Sequence, residues 1–426
     1  MLSVSFSKGG CVNVGSDAFL SLQKVHNNIS KKRKNDIRMT KAKKLTQEQG
    51  VFLCSLELEN MILASKILYA LISFAFVLSF GFKSNNVQHP PTFSDTLLYP
   101  EETYFKNLQQ LTFGGDNAEA YWSYDGKSLV FQRTSVKDGV PCDQIFIGKV
   151  PKRGEPFIYK MISSGKGRTT CAFFASDNKH VIYASTHNSG NDCPPVPDRS
   201  KYGNRYIWPV YASYDLFITD TAGKKIKQLT TTPGYDAEAT LSADGRKMIF
   251  TSMRNGDLDL YVMDLKTAKV KQMTNKLGYD GGAWFSKNGK QIVWRASRPQ
   301  SESEVKEYKE LLKEGLVAPT KMEVWTANAD GSDAKQITSL GQANWAPNFM
   351  PDGRVIFCSN HEYNRGFPFN MYILGKNGKD LEKISRDKGF DAFPMFSPNG
   401  KKIAFCSNRN NGGTRDTNIF IGDWED

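Results

Sequence analysis

Histidine is scarce in this chain of 426 residues, which has only five. Four of them, His89, His180, His187 and His361, follow the one long apolar run, and they are scattered rather than grouped. A catalytic transition metal wants several imidazoles converging on one point, so the sequence predicts no metal site and no cofactor. Zinc-type spacing is also missing: the seven cysteines form no Cys-x-x-Cys or Cys/His pattern. There is no Gly-x-Ser-x-Gly nucleophile elbow, which excludes a propeller carrying a prolyl-oligopeptidase-type hydrolase. Dense basic patches are confined to the start of the chain. The formal net charge is +12, but half of it lies within residues 1–66, around KKRKNDIRMTKAKK (Lys31 to Lys44). The rest is spread thinly, and a nucleic-acid partner, which needs clustered cations, is not expected.

Only one long apolar run is present, ILYALISFAFVLSFGF (Ile67 to Phe82), bounded by Lys66 and Lys83. It is shorter than a comfortable membrane span of ~20 residues and slightly long for the core of a secretory signal. No Ala-x-Ala cleavage site marks its end, so residues 61–83 read either as a signal peptide or as an uncleaved signal anchor. The basic residues before it predict a cytoplasmic N-terminus and an exported remainder, periplasmic or secreted. Any membrane contact would come only through this segment. Residues 1–60 are polar, basic and aperiodic, either a tail or the product of a start codon placed too far upstream. Residues 84–103 form a linker.

What the rest of the chain has in abundance is one repeated phrase. Its clearest copies are AYWSYDGKSLVF (Ala120 to Phe131), ATLSADGRKMIF (Ala239 to Phe250), AWFSKNGKQIVW (Ala283 to Trp294) and PMFSPNGKKIAF (Pro394 to Phe405). Looser copies are AFFASDNKHVIY (Ala172 to Tyr183) and PNFMPDGRVIF (Pro347 to Phe357). Two apolar stretches flanking Asp-Gly, Asn-Gly or Asp-Asn predict a hairpin with a two-residue turn. The turn residues Asp125, Asp177, Asp244, Asn288, Asp352 and Asn399 recur 44 to 67 residues apart, which fits four-stranded propeller blades with loop insertions. A third strand follows each hairpin, as in DLYVMD (Asp259 to Asp264), and then usually a fourth ending in Thr or Ser, as in KQLT (Lys227 to Thr230). The fold class is all-β: a six-bladed β-propeller of four-stranded antiparallel blades over residues 104–426. The sixth repeat stops after its third strand, and an orphan LQQLT (Leu108 to Thr112) precedes the first. The N-terminal strand is therefore expected to close the last blade.

These repeats resemble the WD40-like (PD40) repeats of TolB-type propellers. The family pattern runs through WSPDGKxIAF, then D-(I/L)-Y-(V/I)-MD and a closing LT. GYDAEATLSADGRKMIF, DLYVMDLKT and Phe390 to Phe405 match it closely. The resemblance implies the blade type over about Phe105 to the C-terminus. The α/β domain that precedes the propeller in TolB has no room in the linker.

Hairpin register points to a face. The eighth residue before each turn residue is Asn117, Thr169, Asp236, Asp280, Asn344 or Asp391, and near the far end of the second strand stand His187, Arg254, Arg298, His361 and Arg409. Two readings stay open. In one, these are Asp–Arg pairs that hold blades in register. In the other, Asn117, Asp236, Asp280, Asn344, Asp391, His187, Arg254, Arg298, His361 and Arg409 form a polar binding mouth around the channel. The loops His187 to Ser213, Pro299 to Lys321, His361 to Phe369 and Asn410 to Thr417 leave on that same face. Within them, ESEVKEYKELLKEG (Glu302 to Gly315) has helical periodicity, with Val305, Tyr308, Leu311 and Leu312 on one side. Cys142 and Cys193 lie in neighbouring loops and are able to pair in an oxidising compartment. No residue is singled out as catalytic. The expected function is an exported propeller that recognises a protein or peptide at the cell envelope. The alternatives are a propeller enzyme, carbohydrate lyase or hydrolase, or an accessory subunit of a secreted hydrolase.

Overall fold

The computed structural model describes residues 97–426, apart from positions 204, 365 and 377, together with the short strand Thr92–Phe93. The basic tail, the apolar segment 61–83 and most of the linker lie outside the described residues. Among the described residues no helix is long and apolar enough to cross a membrane.

Six antiparallel sheets form six propeller blades. The innermost strands are Asp116–Trp122, Thr169–Phe174, Asp236–Leu241, Asp280–Phe285, Asn344–Phe349 and Asp391–Phe396. Blades one to five each run outward through four strands in chain order. The sixth is built from both ends of the chain. Its third strand, Asn418–Trp424, pairs with Phe105–Gln110 in the register Phe105↔Trp424 and Gln110↔Phe420. The closing strand thus begins three residues earlier than Leu108. Thr92–Phe93 adds a fifth strand outside it, through Thr92↔Gln110, and covers the edge that a four-stranded blade would leave open.

The Thr or Ser that ends each fourth strand has a physical task. Its hydroxyl accepts the backbone N–H of the third strand in every blade: Ile145 to Ser163, Leu216 to Thr230, Leu260 to Thr274, Val324 to Thr338 and Met371 to Ser385, all at 2.8–2.9 Å. In the sixth blade Ile419 donates to Thr112 at 2.9 Å. The N-terminal segment therefore supplies the one hydroxyl that blade six lacks.

The hairpin turns differ from the two-residue form expected. Ser123 N–H donates to the Ser128 carbonyl and Gly126 N–H to the Ser123 carbonyl, which makes a four-residue loop. Only the glycine, Gly126, takes positive φ, at 69°. Asp125 stays in an ordinary conformation, because its carboxylate accepts from the Ser123 hydroxyl at 2.7 Å and from Lys127 N–H at 3.1 Å. Side-chain acceptance holds the turn, so a left-handed Asp is not needed.

Thr112→Val keeps shape and removes the acceptor for the buried Ile419 N–H. It should cost about 1–3 kcal/mol, read as a lower urea midpoint at unchanged slope.

Candidate functional site

The site begins with one extra residue. In each innermost strand the register to the second strand slips, between Ala118 and Tyr121, Thr170 and Phe173, Ala237 and Thr240, Gly281 and Trp284, Trp345 and Asn348, and Ala392 and Met395. At each slip the sixth residue before the turn takes left-handed φ: Glu119 54°, Cys171 51°, Glu238 57°, Gly282 60°, Ala346 49° and Phe393 56°. Five of these six are not glycine, and each such residue carries about 1 kcal/mol of strain. A bulge re-aims the side chain it carries. All six bulge residues line one central cavity of about 1690 Å³.

The bulge also decides the fate of the expected mouth residues. Side chains of a strand alternate with period two, and one inserted residue exchanges the faces beyond it. The eighth residue before the turn therefore points into the blade. Asn117, Asp236, Asp280, Asn344 and Asp391 are all buried. Arg254 pairs with Asp236 at 3.1 Å, Arg298 with Asp280 at 2.6 Å, and Arg409 with Asp391 at 3.0 Å and with Glu102 at 2.9 Å. Asn117 accepts from Arg133, and Asn344 from the Ser359 hydroxyl. His187 and His361 each bond a serine, Ser185 at 2.8 Å and Ser359 at 3.0 Å, and pack on Phe217 and Tyr372. None of the ten lines the cavity. Burial pushes the Asp280 carboxyl up to about 6 against the pull of Arg298. Of the two readings left open, the geometry matches that of pairs holding the blades.

The cavity has a polar side and an aromatic side. On the polar side Arg295 donates to Glu238 at 2.6 Å and to the Tyr279 hydroxyl at 2.8 Å, and Tyr279 donates to Glu238 at 2.6 Å. Glu238 also accepts from the Thr251 hydroxyl and from Gly282 N–H. Gly282 makes room for this cluster, since a Cβ there would lie 2.4 Å from Arg295 Nη1. Burial works against the charge of Arg295, yet Glu238 and Tyr279 hold its pKa above the ordinary value. Arg168 pairs with Asp143 at 2.6 Å. Among the described residues Glu119 has no cation of its own. Its carboxylate meets the Tyr121 hydroxyl at 3.4 Å and the Cys171 thiol at 3.6 Å. Burial pushes it up to about 7; Glu238 adds to the rise, while Cys171 and Arg295 oppose it.

Towards the turns the channel is filled. Tyr121, Phe173 and Trp284 meet from three blades, with Trp284 5.0 Å from each of the other two rings. At the other end the long loops gather. The helix Glu302–Lys313 starts at a capping box of Ser301 and Glu304, and Leu311 packs with Ile207 and Leu316. Strand Leu316–Val317 pairs with Trp208–Pro209 of the blade-two insertion, and Arg205 binds Glu307 at 2.7 Å. Cys142 and Cys193 are joined in a disulfide that ties this insertion to blade one. Trp208 lies 5.0 Å from Trp345 and under the Arg295 guanidinium. Phe369 stacks on Trp345 at 4.5 Å. Sequence reasoning missed Glu119, Glu238 and Arg295. The available sign was a carboxylate between two alanines, Ala118-Glu119-Ala120 and Ala237-Glu238-Ala239, inside otherwise apolar inner strands.

Residues 210–314 match the family model described as the TolB beta propeller domain. With the six-bladed ring, that match makes this a TolB-like propeller. Among solved structures it is similar to a putative TolB from Agrobacterium tumefaciens, at 16% identity over 73% of this chain and 91% of that one, TM-score 0.47. An oligogalacturonate lyase from Vibrio parahaemolyticus gives 14% identity, 79% and 98% coverage and TM-score 0.45. A gluconolactonase from Xanthomonas campestris gives 11%, 80% and 96%, and 0.48. No curated protein matches. Likenesses this distant transfer no activity. Among the described residues no group of three or more His, Cys, Asp or Glu is placed to hold a metal ion.

The raised Glu119 sets a pH dependence. Between its ordinary value near 4.5 and about 7, the folded state holds the proton more tightly than the unfolded state. Its contribution to stability therefore falls as pH rises through that window. Glu119→Gln should flatten this part of the profile and gain stability relative to the parent at pH 8 compared with pH 5, as read by urea unfolding at both.

Proposed function

We propose that the chain is an exported binding propeller whose central cavity receives a peptide segment of a protein partner at the cell envelope. The domain plan this implies is a basic start, an export segment at 61–83, a linker and the propeller. The observation that carries the reading is the cavity: one end is filled by Tyr121, Phe173 and Trp284, and the other is ringed by loops bearing Tyr206, Trp208, Phe367 and Phe369. Tyr206 and Phe367 are exposed, at 46% and 63%. Exposed aromatics around a concave, partly polar pocket suit recognition of an extended chain. Their rings bury much area for little lost side-chain freedom.

A second reading, a propeller enzyme acting on carbohydrate, is favoured by one observation. Glu119 is a cavity carboxyl that titrates near neutrality, the range useful for general acid–base catalysis.

The binding reading predicts that the tagged protein captures a partner from envelope extract but not from cytosolic extract. Trp208→Ala together with Trp345→Ala should lower that capture about tenfold or more, a loss of ~1.4 kcal/mol or greater. Capture unchanged in the folded double variant, or turnover of an oligosaccharide abolished by Glu119→Gln, would move the balance to the enzyme.

A further inference from the structure

We infer that the floor of the cavity is a site for a primary ammonium group, the N-terminal amine or lysine side chain of a bound peptide. This rests on the peptide-binding reading and names the chemistry of its deepest contact.

Charge pairing within the cavity leads there. Three of its carboxylates have their own arginine: Asp143 with Arg168, Glu238 with Arg295 and Glu307 with Arg205. Asp387 accepts from the Tyr99 hydroxyl and from Gly389 N–H. Among the described residues three lining carboxyls have no cation partner: Asp387, held by those neutral donors, and Glu119 and Asp116, which both stand on the innermost strand of blade one. The lining cations without a carboxylate partner, Arg199, Lys388 and Arg415, stand on the connecting loops. Unpaired carboxyls thus stand on the blade-one strand as well as at Asp387, whereas the lining cations without a carboxylate stand on loops alone.

Glu119 is also held in place at a cost. It occupies a left-handed bulge position at φ 54°, and its contacts with Tyr121 and Cys171 are long. A desolvated carboxyl with only weak, neutral donors is what an incoming cation would relieve. Aromatic faces favour cations, and Tyr121, Trp284, Tyr214 and Tyr235 line the same cavity. The Arg295 guanidinium lines the same cavity, with its Nη2 donating to Glu238 and to the Tyr279 hydroxyl.

The groups acting on Glu119 set the pH dependence. They are Cys171 on blade two, Glu238 on blade three, Arg295 on blade four, Asp143 on the third strand of blade one, and Tyr121 beside it. Cys171 and Tyr121 are both pushed further up by burial and stay neutral. Arg295 stays charged. Glu119 is thus the group that changes charge when a cation arrives near neutral pH.

The experiment is calorimetric titration of the full chain with benzylammonium and with the neutral benzyl alcohol. The cation should bind, and the alcohol at least about tenfold more weakly. Below pH 7 cation binding should release up to one proton, detected in buffers of different ionisation enthalpy. Affinity should rise about tenfold per pH unit well below 7 and level off above it. These readouts need no variant. Glu119→Gln, shown by circular dichroism to be folded at the titration pH, should lose the cation preference and the proton release. A lysine-free peptide with a free N-terminus and an N-acetylated lysine peptide separate the two sources of amine, and binding of either supports the site. Equal binding of cation and alcohol, or cation binding without proton release at pH 6, would overturn the inference. Partner capture that still depends on Trp208 and Trp345 would in that case leave the peptide reading standing. Benzylammonium bound at Glu119 with capture indifferent to both tryptophans would instead sink the reading and leave the ammonium site.

Discussion

One inserted residue per inner strand governs what this protein can do. Without the bulge, the period of two would turn Asp236, Asp280 and Asp391 to the channel. With it, those carboxylates turn into the blades and meet Arg254, Arg298 and Arg409. The bulge residues Glu119, Cys171, Glu238, Gly282, Ala346 and Phe393 take the channel instead. The same irregularity, repeated in every blade, thus separates two jobs. Fixed ion pairs hold the ring, and a variable set of side chains lines the cavity.

The separation is visible in the chemistry of each set. The inner-blade pairs are buried and reciprocally bonded; removing one partner would leave an uncompensated charge, the case in which a buried ion pair matters most. The bulge ring is uneven. Blades one to three carry Glu, Cys and Glu, and blades four to six carry Gly, Ala and Phe. Arg295 fills the space over Gly282 and pairs with Glu238, while among the described residues no cation pairs with Glu119. The insertions of blades two and four lock together through Trp208–Pro209 and Leu316–Val317, and Trp208 brings that assembly down onto Arg295. Cavity wall and loops are therefore coupled through the Arg295 guanidinium and through Trp345.

The repeat phrase made the blade count, the strand order and the participation of the N-terminal strand legible in the sequence, because hairpin punctuation and apolar alternation are local. The helix at Glu302–Lys313 was legible for the same reason: its cap and its apolar face lie within one short segment. The cavity was not. A bulge leaves little local mark, since its positive φ is borne here by Glu, Cys, Ala and Phe as well as Gly. Alternation counted without it does not single out the sixth residue before the turn, which lines the cavity. The turns were misread on a smaller scale, because Asp125 spends its carboxylate on Ser123 and Lys127 and does not need a left-handed backbone. Thr112 was legible as the end of the closing strand, but its task of accepting the Ile419 N–H was not, because that contact joins residues 307 positions apart.

Whether the bulge sets the cavity wall can be measured directly by thiol accessibility. In a Cys171→Ser background the remaining free cysteines among the described residues, Cys358 and Cys406, are buried. Ala346→Cys puts a thiol at the bulge of blade five, and Asn344→Cys puts one two residues earlier on the same strand. The account predicts that a small charged thiol reagent modifies the folded Ala346→Cys protein rapidly and leaves the Asn344→Cys protein unmodified until it unfolds. Rapid modification at position 344 with protection at 346 would mean that the inner strands run without the bulge, and would contradict it.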